Sequence, residues 1–464
     1  MNLPSILSEI VNNIIVSLDK NIEEEAIVNV FMAKFCSIMA SKQIMTDSIM
    51  HIETVPLQYY ALNLLPSGMS KNISKTIVDQ LFEWHKENCK SANLAYFTKQ
   101  QERINEIHKD VRSREKAYKE IMEYTPELNG ASSQAIYEVA QWILENNFGS
   151  LYFFNTEFAR MFASKSDYNN ILEMSLNGAD GIIDYTSVLS NRRKTLDGKI
   201  SMSMYLATAY EKLLEPETNK DFIELGNTGF FRRSFIYFLD KQTDEGRQYT
   251  YSNIMAARSN LRVYKEQLKD IYNTIRPNTV LHFSEEANAR IKEYKRNVED
   301  CILQNYSYNK VLLPIDESYK INLLNSPWKI VKVAFLLHLL NDPSSKVVTT
   351  TTVEQAIDYF NMFDRFLPNF LSQEQVTHRT YIKALVFKNL GRELSKQAFL
   401  EQIRNLVYAD LSYKEWNDLI NKDNLLRYIV EDLKSQDVGC EDREDVIMFY
   451  KINNDDNDDE LRGL

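Results

Sequence analysis

Leu65-Pro66-Ser67-Gly68-Met69-Ser70-Lys71-Asn72 is the stretch on which the reading of this chain turns. It follows a compact run containing Tyr59, Tyr60, Ala61, Leu62, Leu64 and Leu65, which suits a buried strand. After it, Ile73, Ile77, Val78, Leu81 and Phe82 recur at helical spacing. Strand, loop and helix in that order are the setting of a phosphate-binding loop, G-x-x-x-x-G-K-[ST]. In such a loop small residues let backbone N–H groups wrap the phosphates, while the lysine and hydroxyl meet the terminal phosphates and Mg²⁺. Gly68 and Lys71 stand where a GPxGxGKS loop has its middle glycine and its lysine; Leu65, Ser70 and Asn72 replace the first glycine, the last glycine and the hydroxyl residue. A helix opening near Asn72 would still aim free N–H groups and a positive dipole end at an anion. Ser67, Gly68, Ser70, Lys71 and Asn72 are therefore the expected phosphate-binding residues, and the competing reading is a surface turn that happens to contain a lysine. Asn72 offers an amide oxygen in place of the usual hydroxyl, which weakens Mg²⁺ placement.

Three later segments bear on the same chemistry. Leu151-Tyr152-Phe153-Phe154 reads as a short strand ending in Asn155-Thr156-Glu157-Phe158, where a metal-binding strand end would carry acidic residues. Glu157 reads as a general base or water-positioning carboxylate, and the acidic partner expected beside it is replaced by Asn155 or Thr156. An N-cap for a helix Phe158 to Ala163 explains Asn155 or Thr156 equally well. Lys199 to Ala207 reads as a strand whose end carries Thr208, a polar group suited to sensing a terminal phosphate. Gly226-Asn227-Thr228-Gly229-Phe230-Phe231-Arg232-Arg233 precedes the apolar run Ile236 to Leu239; Arg232 and Arg233 are candidates for an arginine finger, against a structural ion pair for each. Arg192, Arg193, Lys194 and Lys199 read as a solvated basic loop or as a nucleic-acid backbone contact.

Composition bounds the rest. The chain has 464 residues, 44% hydrophobic and 26% charged, with only 12 glycines, which favours a largely helical globular protein of two or three units. A net charge of −11 excludes a strong overall basic field, so nucleic-acid binding would need a local patch. Cys36, Cys89, Cys301 and Cys440 lack C-x-x-C spacing, and the six histidines show no H-x-x-x-H pair, so neither a zinc site nor a disulfide framework is read and no metal ligands are assigned. No signal peptide or membrane-length apolar run is evident, and a cytoplasmic protein is expected.

In order, the reading is an N-terminal helical region 1–50, a nucleotide-binding core 51–245, a helical domain 246–370, a winged-helix-like module 371–452 and an acidic disordered tail 453–464. The expected fold class is an α/β P-loop core, RecA/AAA-like, embedded in a predominantly helical protein with a small winged-helix-like C-terminal module.

The succession LNLLPSGMSKN, GSLYFFNTEF, SMSMYLATA, NTGFFRRSF, SPWKIVKVAFLLHLL and VTTTTVEQAIDYFNMF resembles the uncharacterised-domain family of phage and mobile-element P-loop ATPases. Members of that family are often joined to primases and described as replicative primase–helicase proteins. The likeness runs from about Ile52 to Leu367. It implies phosphate binding by Lys71, an acidic role at Glu157, and a Gly-Phe-Arg-Arg segment at Gly229, Phe230, Arg232 and Arg233. It also implies ATP with Mg²⁺ at a weakened metal site, single-stranded DNA and replication proteins as partners, and a homo-oligomer in a bacterial cytoplasm. The departures at Ser70, Asn72 and Asn155-Thr156 fall on the phosphate cradle and the metal site. The alternative is a non-catalytic P-loop-fold scaffold that binds DNA, replication proteins or host proteins.

Overall fold

The computed structural model describes residues 3–18, 22–47, 54–67, 71–119, 125–129, 133–146, 149–163, 187–189, 192–194, 200–239, 249–306, 322–364, 366–367, 370, 382, 385–386, 389–408, 412–421, 425–434 and 438–451. They form two compact units, Met1–Asn369 and Phe370–Leu464. The regions read as 1–50 and 51–245 fall within the first, as does 246–370 up to Asn369. The protein is mixed α/β and mostly helical.

The strands in chain order are β1 (Met45–Thr46), β2 (Val55–Pro56), β3 (Tyr59–Leu65), β4 (Glu127–Leu128), β5 (Ser150–Asn155), β6 (Ser187–Leu189), β7 (Arg192–Lys194), β8 (Ser201–Ala209), β9 (Ser234–Phe238), β10 (Val280–Phe283), β11 (Val347–Val348), β12 (Glu393–Ser395), β13 (Val438–Asp442) and β14 (Val446–Lys451). Five of them make one sheet in the order β4-β5-β8-β3-β9, and every pairing is parallel. All residues of β3, β8 and β9 are buried; β3 and β9 accordingly read as near-continuous apolar runs, whereas β8 alternates serine and methionine over Ser201 to Met204 and is buried on both faces all the same.

Side chains alternate across a strand, so Asn63 and its neighbour Leu64 mark opposite faces of the sheet. On the Asn63 face lies the helix Glu24–Ala40, of which every residue except Glu24 is buried. Asn29 ties that helix down: it donates to Asn63 Oδ1 at 2.8 Å and to Phe235 O at 3.0 Å, and it accepts from Tyr59 Oη at 2.8 Å. Asn63 in turn donates to Ala26 O at 2.9 Å, so the buried amides satisfy one another. The helix Lys71–Leu81 lies on this face too, with Phe82 at its end 5.7 Å from the ring of Phe31. The other face is covered by an aromatic cluster of Phe158, Phe162, Phe222, Phe230 and Phe231.

A second, smaller sheet in the order β11-β10-β1-β2 joins residues far apart in the chain. The stretch from Tyr251 to Phe370 reads as almost wholly helical in sequence. Its helices are Tyr251–Thr274, Glu285–Tyr306, Ser326–Asn341 and Thr350–Asp364, but β10 and β11 sit between them. Strands of four and two residues are too short to show a period. Helix Tyr251–Thr274 is capped by the Thr250 hydroxyl, which accepts from Asn253 N at 3.3 Å. It packs along the helix Ser5–Leu18, where Tyr264 donates to Glu9 Oε2 at 2.6 Å.

The second unit has an antiparallel sheet in the order β12-β14-β13 and the helices Lys396–Val407, Tyr413–Asn421 and Leu425–Lys434. Its core gathers Phe399, Ile403, Trp416, Ile429, Ile447 and Phe449. Ser395 caps the first of these helices, accepting from Ala398 N at 3.4 Å. Ser412 and Glu415 cap the second reciprocally, at 2.9 and 3.3 Å. β12, β13 and the helix Leu425–Lys434 add to what the sequence suggests, and the acidic tail lies outside the described residues. Among the described residues no helix is long and apolar enough to cross a membrane.

Candidate functional site

The chain leaves β3 and β8, which are neighbours in the sheet, toward opposite faces. After β3 it enters the helix Lys71–Leu81 on the Asn63 face; after β8 it reaches the helix Pro216–Leu225, whose Phe222 belongs to the aromatic cluster on the other face. Divergence of this kind opens a crevice outside the carboxyl ends of the strands, where open α/β sheets bind ligands. A contact spans it: Ser67 N–H donates to Glu211 Oε1 at 3.1 Å. Glu211 lies in the short helix Tyr210–Leu213 that follows β8. Sequence reasoning misses it, although an acidic residue just beyond a polar strand end is a signal.

Gly68 and Ser70 lie outside the described residues. Lys71 is the first residue of an 11-residue helix whose amino end faces the crevice, and Asn72 is exposed beside it, its carbonyl accepting from Thr76 Oγ1 at 2.8 Å. One turn on, Lys75 pairs with Asp79 and lies 3.8 Å from the centre of the Phe154 ring. Beneath it, Lys34 is only 3% exposed and pairs with Glu127 Oε1 at 2.5 Å and Asp79 Oδ1 at 3.4 Å. This ion cluster joins the helix Glu24–Ala40, the helix Lys71–Leu81 and the edge strand β4. A lone lysine inside the apolar run Val30 to Cys36 is its signal in the sequence.

Asn155 closes β5 and uses both ends of its amide: Nδ2 donates to Asn129 O at 3.2 Å, and Oδ1 accepts from Glu157 N at 2.8 Å. Glu157 is more than half exposed and pairs with Arg160 Nη1 at 2.5 Å. Thr208 is buried, and its hydroxyl accepts from Ala159 N at 3.2 Å, linking β8 to the turn after β5. The strand register puts Leu65 beside Ala209 and Asn155 beside Leu206. Ser67, Asn155 to Glu157, Thr208 and Glu211 thus share one edge of the sheet.

Arg232 and Arg233 do not. They immediately precede Ser234, which pairs with Tyr60 near the start of β3. At about 3.3 Å per residue Ser234 is roughly 16 Å along the strand from Leu65, so the pair before it lies at the opposite edge. Gly229 makes room for both: its φ is 123°, and an added Cβ would come within 2.4 Å of Arg233 Nη1 and 2.8 Å of Arg232 Nε. Arg233 Nη1 donates to Gly229 O at 3.3 Å. The backbone of Arg192 to Lys194 forms β7, paired with β6 in a hairpin; Lys199 lies outside the described residues.

Among the described residues, no group of three or more His, Cys, Asp or Glu is placed to hold a metal. The positions at which Mg²⁺ would be held are Asn72 and Asn155-Thr156. They offer two amides, that of Asn155 used at both ends, and one hydroxyl, with no carboxylate among them, so they do not fit a hard cation that takes carboxylate oxygen. His85 is buried, and burial pulls its pKa down to about 3. Burial pushes the Cys36 and Cys89 thiols up to about 12, which makes both poor nucleophiles.

No family model matches the chain, and no curated protein matches it.

Proposed function

We propose that this chain is a P-loop, RecA/AAA-like nucleotide-binding protein of the phage or mobile-element replication type, in which binding of a nucleoside triphosphate outweighs its hydrolysis. The observation that carries this reading is the order and register of the parallel sheet, which bring Ser67 after β3, the Asn155 to Glu157 turn and Thr208 to one edge. Free N–H groups at the start of the helix Lys71–Leu81 would meet phosphate there. Thr208 stands on the strand between the loop strand and β5, the position from which a polar strand end can read a terminal phosphate.

Weak hydrolysis follows from the positions that would hold Mg²⁺: Asn72 and Asn155-Thr156 carry no carboxylate, so no step here is assigned to the metal. Arg232 and Arg233 are out of reach of the crevice in their own chain, so in this reading they serve the nucleotide of a second copy in a homo-oligomer. The second unit, in which the described residues include the helices Lys396–Val407, Tyr413–Asn421 and Leu425–Lys434 and the sheet β12-β14-β13, suits a winged-helix-like module. Its β13–β14 hairpin carries Glu441, Asp442, Glu444 and Asp445 against Arg443, a charge balance that favours a replication or host protein over the backbone of single-stranded DNA as its partner.

Calorimetric titration with ATP, with and without Mg²⁺, tests the reading. Wild type is expected to bind ATP and Lys71→Ala to lose it, with little turnover in either. Absence of ATP binding in the wild type, or equal binding by Lys71→Ala, would overturn it.

A further inference from the structure

Lys329 is the least expected charge of the helix Ser326–Asn341. It sits in the apolar run Ile330, Val331, Val333, Ala334 and is only 3% exposed. Its Nζ donates to three oxygens: Ser234 O at 2.5 Å, Asn322 Oδ1 at 2.6 Å and Phe231 O at 3.0 Å. An ammonium has three N–H donors and no acceptor, so these oxygens match its capacity. The rings of Phe235 and Phe360 close around it, at 5.5 and 5.9 Å. A cavity of only about 10 Å³ remains beside it, bounded also by Asp364 on the helix Thr350–Asp364.

The identity of the acceptors matters more than their number. Phe231 O and Ser234 O are the carbonyls that bracket Arg232 and Arg233. The arginines end a helical stretch that runs from Pro216 through the π-helix Gly226–Phe230, and its regular geometry is broken at Gly229, just before them. Gly229 gives the guanidinium groups room on one side, and Lys329 grips the backbone from below on the other.

We propose that Lys329 is the positioning residue of the Arg232–Arg233 turn: by fixing the carbonyls on either side of the pair, it sets the direction in which the two guanidinium groups leave the sheet edge toward a nucleotide held by a second copy. This rests on the nucleotide-binding reading above. Burial opposes the charge, drawing the Lys329 amine down to about 7, while Asp364 works in the other direction. A charge kept in so unfavourable a place needs all of its acceptors, and two of the three belong to the arginine turn.

The test uses the full chain with Lys329→Met, and a second variant, Lys329→Met with Asn322→Leu, that replaces the buried polar pair by apolar side chains and so leaves no unmatched polar side chain at either position. Three readouts are compared with wild type and with Arg232→Ala and Arg233→Ala. They are amide hydrogen exchange over residues 226–238, ATP affinity by calorimetry, and ATP-dependent assembly by sedimentation. Both lysine variants are expected to exchange faster at residues 229–234, to keep ATP affinity to within about twofold, and to need roughly tenfold more protein for half-assembly, as the arginine variants do. Normal exchange and assembly in the double variant would overturn the proposal. So would a parallel loss of ATP affinity, the mark of a packing role alone. A wild-type chain that binds no ATP overturns the nucleotide reading; unchanged exchange in Lys329→Met separately overturns the fixing of the turn.

Discussion

Glu211 Oε1 accepts the backbone N–H of Ser67 at 3.1 Å, so a carboxylate of the chain itself holds a donor at the mouth of the crevice. A phosphate oxygen approaching this loop competes with Glu211 for that donor and meets its negative charge. Glu211→Gln removes the charge and keeps the shape. It is expected to tighten ATP binding by roughly fivefold, about 1 kcal/mol for an exposed charged contact. Calorimetry at matched ionic strength measures this, and unchanged or weaker binding counts against a competing role for Glu211.

Lys34 is the buried hinge of the ion cluster under the loop. Lys34→Met leaves Glu127 without a cation, and leaves Asp79 with only Lys75. Both carboxylates keep partial solvent contact, at 31% and 25% exposure, so the cost is set at the low end for a broken buried pair, about 2 to 3 kcal/mol. Urea denaturation of the variant reads it directly, and a shift below about 0.5 kcal/mol would show that water already solvates the pair.

His85 gives a pH dependence of known sign. It is buried, its Nε2 lies 3.1 Å from Ser41 Oγ, and its pKa is lowered from 6.5 to about 3. The folded state therefore keeps it neutral while the unfolded chain takes up a proton below pH 6.5. Its contribution is fully present above pH 6.5 and is lost as pH falls from 6.5 toward 3, by roughly 1.4 kcal/mol per unit. His338 is shifted the same way, so the readout is the difference between wild type and His85→Gln. Between pH 6.5 and 5.5, above the carboxylate range, the variant should lose stability less steeply; parallel curves would contradict the assignment.

Gly229→Ala places a Cβ in the left-handed region and against both guanidinium groups. The backbone strain alone costs about 1 to 2 kcal/mol, and the arginines must move aside. Thermal unfolding should show the loss, and ATP-dependent assembly should weaken as it does in Arg232→Ala. A variant of wild-type stability and assembly would mean that the turn adapts freely.

What can be read beforehand follows from burial pattern. β3, β5 and β9 announce themselves as apolar runs of buried or largely buried residues, and β8 by its alternation over Ser201 to Met204. Long helices such as Tyr251–Thr274 and Thr350–Asp364 carry their period, and Ser395 and Ser412 carry cap signals. β4, β10 and β11 are invisible because strands of two to four residues exist only through their partners. The site is half legible for a related reason. Loop, strand ends and arginines are local patterns, whereas the Glu211 contact, the Lys34 cluster and the grip of Lys329 join residues that only the fold brings together.

The central position of β3 has a consequence for biosynthesis. Both of its neighbours, β8 and β9, are made long after it, and the helix Glu24–Ala40 waits still longer for the surface that buries it. A nascent chain halted before Ser201 carries β3 with both edges open and an apolar helix uncovered, a state prone to self-association. The crevice can therefore close only once β8 has emerged, late in synthesis, and slow, non-local pairing should govern the rate at which it forms.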